Sequence, residues 1–103
     1  MNVDTHAAEQ LYTESDRTQL IAELKAEHGD NWAEGYKPGT FGCHELLDRV
    51  SLLTNTLDDV LLTHPALVQN PAWYALAGQA ASTLHELYQR VGAEHLGVKN
   101  DVP

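Results

Sequence analysis

The stretch FGCHELLDRV, residues 41–50, sets the chain's one cysteine beside His44, Glu45 and Asp48. These residue types supply a thiolate with its base, or the ligands of a divalent metal. Whether they converge depends on the helix that would carry them. At about 100° per residue, with Leu46 as zero, Cys43 falls near 60° beside Leu47, while His44 and Asp48 fall near 160°. Cys43 and His44 therefore diverge, and the cluster splits into two sets. Cys43 reads as a small hydrophobe on the apolar face of a helix start. Glu45 faces the positive end of the helix dipole. His44 and Asp48 form an i, i+4 pair of the kind common on solvated helix faces. A metal site on two helices is the alternative, with His44 and Asp48 joined by His85 of a neighbouring helix. HELLD is not HExxH, and no Glu-x-x-His motif repeats on two helices, so no metal and no cofactor is expected. GYKPGTFG at 35–42 lacks the lysine spacing of a phosphate-binding loop, and no strand precedes it. With no nucleophile–base pair visible, a non-enzymatic protein is the expectation.

The elements that must position these residues read as helices. From 43 to 62 apolar residues fall at Leu46, Val50, Leu53, Leu57 and Val60, spaced 4, 3, 4 and 3. From 71 to 91 they fall at Trp73, Ala77, Ala80, Leu84, Leu87 and Val91. Between them, Asn70 is an N-cap with Pro71 at the first helical position. So short a connection predicts an antiparallel hairpin over 42–62 and 71–91. If Leu62 meets Pro71, then Leu46 meets Leu87, Leu53 meets Ala80, Leu57 meets Leu76 and Val60 meets Trp73. His44 and Asp48 would then lie level with Gln89 and His85. Leu52 and Leu62 fall off this seam and need a third helix or a partner to cover them.

The first 28 residues read as acidic N-terminal helices. Asp4 or Thr5 caps a short one through Tyr12, and TESD at 13–16 starts another that ends at Gly29. The sequence does not separate two helices here from one merged helix. Residues 29–42 form a glycine- and aromatic-rich loop carrying Trp32, Tyr36 and Phe41, and 92–103 is read as a tail. Of the six histidines, His28 precedes Gly29 and His95 is followed two residues on by Gly97, both near helix ends, and His64 precedes a proline, which are capping positions. The predicted fold is all-α: one helical domain over 1–103, a small bundle built on the hairpin plus one or two shorter N-terminal helices.

Composition bounds the partner. The 103 residues carry a formal charge of −9, and 43% are hydrophobic. Residues 1–34 hold eight acids against Arg17 and Lys25, a net of −6; residues 35–103 hold seven acids against four bases, a net of −3. This balance opposes direct nucleic-acid binding and binding to anionic membranes. One cysteine excludes an internal disulfide and a multi-cysteine zinc site. The opening MNVDTHAAEQ has no basic region followed by an apolar stretch, so a secretory signal is not expected and a cytoplasmic location is. The expected function is binding to another protein, one with a basic surface or a second copy of the chain. One version is an inhibitor that offers carboxylates to a site built for nucleic acid. The expected partner surface combines Trp32, Tyr36 and Phe41 as anchors with Glu23, Glu27, Asp30 and Glu34 as the charge field.

Overall fold

A computed structural model describes residues 11–100 of the chain, with side chains to Gly97. Among the described residues every element is helical and no strand occurs, so the all-α reading holds. The chain divides into two compact units, Met1–Glu34 and Gly35–Pro103.

The first unit carries α1, Glu14–His28. Thr13 is extended, with φ −100° and ψ 171°, and its side chain accepts from the Asp16 backbone N–H. The Asp16 carboxylate accepts in return from the Thr13 backbone at 2.9 Å, which completes the capping box read from TESD. This break makes α1 a new start. The short helix expected before it falls mainly on residues 1–10, outside the described residues. Gly29 stops α1 at φ 89°, donating to the Lys25 carbonyl at 2.8 Å, as the glycine rule requires. Leu20 and Leu24 are exposed and Ile21 is half-buried.

The cap has a consequence for pH. The bonds from Thr13 hold the Asp16 carboxyl below the ordinary range, and the Arg17 guanidinium does the same for Glu14. Both groups are fully exposed. Carboxyls depressed by folding add stability above their unfolded values and lose it as pH falls through the folded ones. The start of α1 should therefore persist through the ordinary carboxylate range, about pH 4, and fray only below it. An NMR titration of the Thr13 and Asp16 amides checks this. Fraying already complete above that range would contradict the box.

A short 3₁₀ turn, Glu34–Tyr36, spans the boundary at Gly35, and the second unit holds the hairpin. Helix α2 spans Phe41–Thr56, capped by Thr40, whose hydroxyl accepts from the Cys43 backbone N–H at 3.3 Å. It continues as a π turn, Leu57–Leu61, then α3, Pro65–Val68, then α4, Pro71–Asn100. As read from the sequence, Asn70 caps α4, its side chain accepting from the Trp73 N–H at 3.1 Å, with Pro71 in first place. Three boundaries differ from the expectation. Residues 65–68, read as loop, form α3, because His64 accepts the Ala66 N–H through Nδ1 and Pro65 fills the first helical position. Residues 57–61 widen into a π turn, marked by the Leu62 N–H bonding to the Leu57 carbonyl. Residues 92–100, read as tail, belong to α4.

The hairpin is antiparallel, but its seam is not the expected one. The buried residues are Cys43, Leu47, Val50 and Thr54 on α2, and Ala77, Ala81 and His95 on α4. Leu46, Leu53, Ala80 and Leu87, expected in the seam, are exposed. The pairing moves too. Leu47 lies over Gly92, where a Cβ would sit 3.7 Å from its Cδ1, and the His44 ring meets that of His95. Leu46 and Leu87 still line one groove, but the closest-packed pairs are displaced along α4 from the expected register. Both helices also rotate so that small residues meet, which lets the backbones approach. Thr54 tolerates burial because its hydroxyl bonds the Val50 carbonyl at 2.8 Å.

Gly42 is the tightest point of the unit. A Cβ there would collide with the Gly35 carbonyl oxygen and the Tyr36 ring. Glycine to alanine inside a helix normally gains about 1 kcal/mol, whereas overpacking costs about 1–3 kcal/mol. Gly42→Ala is expected to destabilise by about 1 kcal/mol net, read by urea denaturation; a gain in stability would show the turn yields freely.

Candidate functional site

The strongest unassigned feature of the second unit is an apolar face of the hairpin. The seam centre lies about 70° round α2 from Leu46, which leaves Leu46 and Leu53 on one flank. On α4 the same flank carries Trp73, Leu76, Ala80 and Leu87. Because the helices are antiparallel, equal rotations from the seam bring both flanks to one side. At one end of the hairpin Leu46 and Leu87 line a common groove of about 250 Å³ with Pro38, Cys43 and Val91, rimmed by Arg90 and Glu94. A second groove continues from Leu46 past Cys43 and Gly42 to Tyr36, rimmed by Glu45 and Arg49. Along the face Leu46 is 47% exposed, Leu53 56%, Trp73 56%, Leu76 66% and Leu87 43%. Leu52 is as exposed, but it points to the back of α2.

The rim carries two acids, Glu45 and Glu94, and two bases, Arg49 and Arg90, and each base pairs with an acid on its own helix. Glu45 and Arg49 approach to 3.3 Å, and Glu86 and Arg90 to 2.9 Å, all largely exposed. Such i, i+4 pairs add a few tenths of a kcal/mol each to the helix. Their larger effect is to leave the margin of the apolar face close to neutral in a chain whose formal charge is −9.

The residues singled out in the sequence are distributed as follows. Glu23, Glu27, Asp30 and Glu34 are exposed in the first unit, which also holds a half-buried Trp32. Glu27 approaches His28 at 3.2 Å. Tyr36 and Phe41 belong to the second unit; Phe41 is 83% exposed, and the Tyr36 ring lies against Gly42. His44 Nε2 is 3.7 Å from Asp48 Oδ2. His85 is not level with this pair. The histidine beside His44 is His95, with ring centroids 5.5 Å apart, and His85 precedes it by ten residues, about 15 Å of helix. The slide of α4 that moved the seam moved this pairing with it. Among the described residues no group of three or more histidine, cysteine, aspartate or glutamate side chains is placed to hold a metal ion. His95 is buried, and its Nδ1 accepts from the Gly39 backbone N–H at 2.8 Å. By its sequence neighbours His95 is a helix-end residue; the one signal of its burial is the four- and three-residue spacing that continues past Val91.

Cys43 is a free, buried thiol at the first turn of α2. Burial denies reagents access whatever the helix dipole does to the thiolate. Its labelling by a thiol reagent at neutral pH is expected to be slow in the folded protein and fast in urea. Equal rates in both would place the thiol at the surface.

No helix among the described residues is long and apolar enough to cross a membrane. No protein-family model matches the chain, and neither a curated protein nor a solved structure matches it significantly.

Proposed function

We propose that this is a small acidic, non-enzymatic helical protein that acts by binding another protein, and that the apolar face of its hairpin is the contact surface. The observation that carries the reading is the row of large side chains left about half exposed along one side of α2 and α4, from Leu46 and Leu87 to Leu76 and Trp73. A two-layer helical unit buries its apolar flanks against a further layer. Within this hairpin only Cys43, Leu47, Val50, Ala77 and Ala81 form the buried apolar core, and no large side chain is fully covered. Aromatic side chains such as Trp73 are the usual anchors at the centre of an interface, and the leucines beside it supply the apolar area that excludes water. The acidic first unit then serves encounter: a one-signed charge field speeds approach and is screened beyond about 8 Å at physiological salt.

The test is affinity capture from the native host with five baits: the wild type, Leu53→Lys, Leu52→Lys, Trp32→Ala with Tyr36→Ala, and a variant neutralised at Glu23, Glu27, Asp30 and Glu34. A protein held by the wild type and by Leu52→Lys, lost on Leu53→Lys and slowed in association by neutralisation, supports the reading. Capture that survives Leu53→Lys but is lost on Trp32→Ala with Tyr36→Ala would move recognition to the aromatic loop.

A further inference from the structure

We infer that the occupant of the hairpin's apolar face is a second copy of the chain, the two hairpins closing face to face as a four-helix bundle. The inference rests on the proposed function, whose contact face it adopts and whose partner it names. Three observations carry it.

The first is area. Side chains of this size offer about 150–250 Å² each when fully exposed. Tyr36, Leu46, Leu53, Trp73, Leu76 and Leu87 range from 43% to 66% exposed, which leaves on the order of 600 Å² of apolar surface per copy. With Ala80 and the rim, this approaches the ~800 Å² per partner of a stable interface. It lies at the upper limit of the largest patch, ~300–600 Å², found on typical monomers.

The second is charge. A partner with a basic surface would be met by an acidic margin. The charged residues lining the two grooves are Glu45 and Glu94 against Arg49 and Arg90, two acids to two bases, with Glu45 and Arg49 3.3 Å apart. Two copies of a chain of charge −9 repel one another unless the contact is made where that charge is locally neutralised. The hairpin meets that condition on this side.

The third is shape. An isologous contact needs one patch that is its own complement. The face is a shallow trough between two antiparallel helices, with Ala80 a small residue among large ones on α4. Side chains beside the trough on one copy fill the trough of the other, which is the packing of helical hairpins paired as four-helix bundles.

The experiment is sedimentation equilibrium of the full chain over a wide concentration range, joined to thermal melts at the same concentrations. The wild type is expected at twice the chain mass of 11.4 kDa, with a melting temperature that rises with concentration. Leu53→Lys and, independently, Leu76→Lys are expected to weaken association by roughly a hundredfold, the effect of losing a central anchor. Leu52→Lys, on the back of α2, should remain dimeric. A wild type that is monomeric throughout, with a concentration-independent melt, overturns the inference without recourse to any variant. So does a dimer that Leu52→Lys dissociates as readily as Leu53→Lys. If a monomeric wild type still captures a host protein that Leu53→Lys loses, the proposed function stands and only the second copy falls. If the protein is monomeric and capture is indifferent to Leu53→Lys, both fall.

Discussion

Val50→Asp is expected to unfold the hairpin, at a cost of about 4 kcal/mol or more. Val50 is 4% exposed, the most deeply covered apolar residue of the seam, with Leu47 and Thr54 a turn to either side. A carboxylate there would be stripped of water without a cation or donor to receive it. The Thr54 hydroxyl is already committed to the Val50 carbonyl. A small domain has only about 5–15 kcal/mol of stability, and this hairpin has few buried apolar residues to supply it. The matched control is Leu52→Asp. Leu52 is 64% exposed, and its replacement is expected to change stability by no more than about 0.5 kcal/mol. Far-UV circular dichroism and urea denaturation decide between them. A Val50→Asp protein that melts within a few degrees of wild type would show that the two helices do not meet at the Cys43–Leu47–Val50–Thr54 seam.

That contrast also marks where the sequence was legible and where it was not. The 4-3-4-3 spacing of apolar residues called two long helices, and Asn70 with Pro71, Thr13 with Asp16, and Gly29 called their ends; all of these are local signals, and local hydrogen bonds enforce them. The seam is not local. Two heptads run along α2, one through Leu46, Val50 and Leu53 and one through Cys43, Leu47, Val50 and Thr54, and apolarity alone favours the first. The helices choose the second because Cys43, Thr54, Ala77, Ala81 and Gly92 are small, and small residues let two backbones close. A threonine reads as polar in sequence, yet its hydroxyl is satisfied within its own helix and costs little to bury.

The candidate site follows from that choice. With small residues inside, Leu46, Leu53 and Leu87 move to the flank, and the apolar face emerges as the remainder of a seam they were expected to fill. Leu52 and Leu62, which the spacing leaves in need of cover, lie apart from this flank: Leu62 is half-buried and Leu52 exposed. Val60 leaves the pattern for a different reason: it lies inside the π turn, Leu57–Leu61, where the helical phase changes. The end of α4 was misread for a third reason. Gly92 resembles a stop signal, and a glycine inside a helix costs about 1 kcal/mol. The helix continues because three residues later it delivers His95 into the base of the hairpin.

Replacing His95 should therefore have the second largest effect. The residue is 4% exposed, and its ring lies at 5.5 Å from that of His44, where α4 passes the start of α2. Its Nδ1 accepts the Gly39 backbone N–H at 2.8 Å, which fixes the turn immediately before the Thr40 cap. Gly39 holds φ 91°, a conformation that other residues adopt at a cost, so this turn needs an anchor. A ring that accepts at Nδ1 carries its proton on Nε2. His95→Leu keeps apolar bulk but leaves the Gly39 N–H to solvent, since Gly39 is exposed, at about 0.5–1.5 kcal/mol for the lost bond. His95→Ala adds a cavity and should cost about 2–4 kcal/mol in all. His95→Asn separates the two contributions, since its side-chain oxygen can stand near the position of Nδ1. The expected order of melting temperature is wild type, then Asn, then Leu, then Ala, and the Gly39 amide should exchange with solvent fastest in the Leu and Ala variants. If His95→Leu melts at or above the wild type and the Gly39 amide stays protected, then apolar packing alone holds the base of the hairpin, and the hydrogen bond across 56 residues contributes nothing to it.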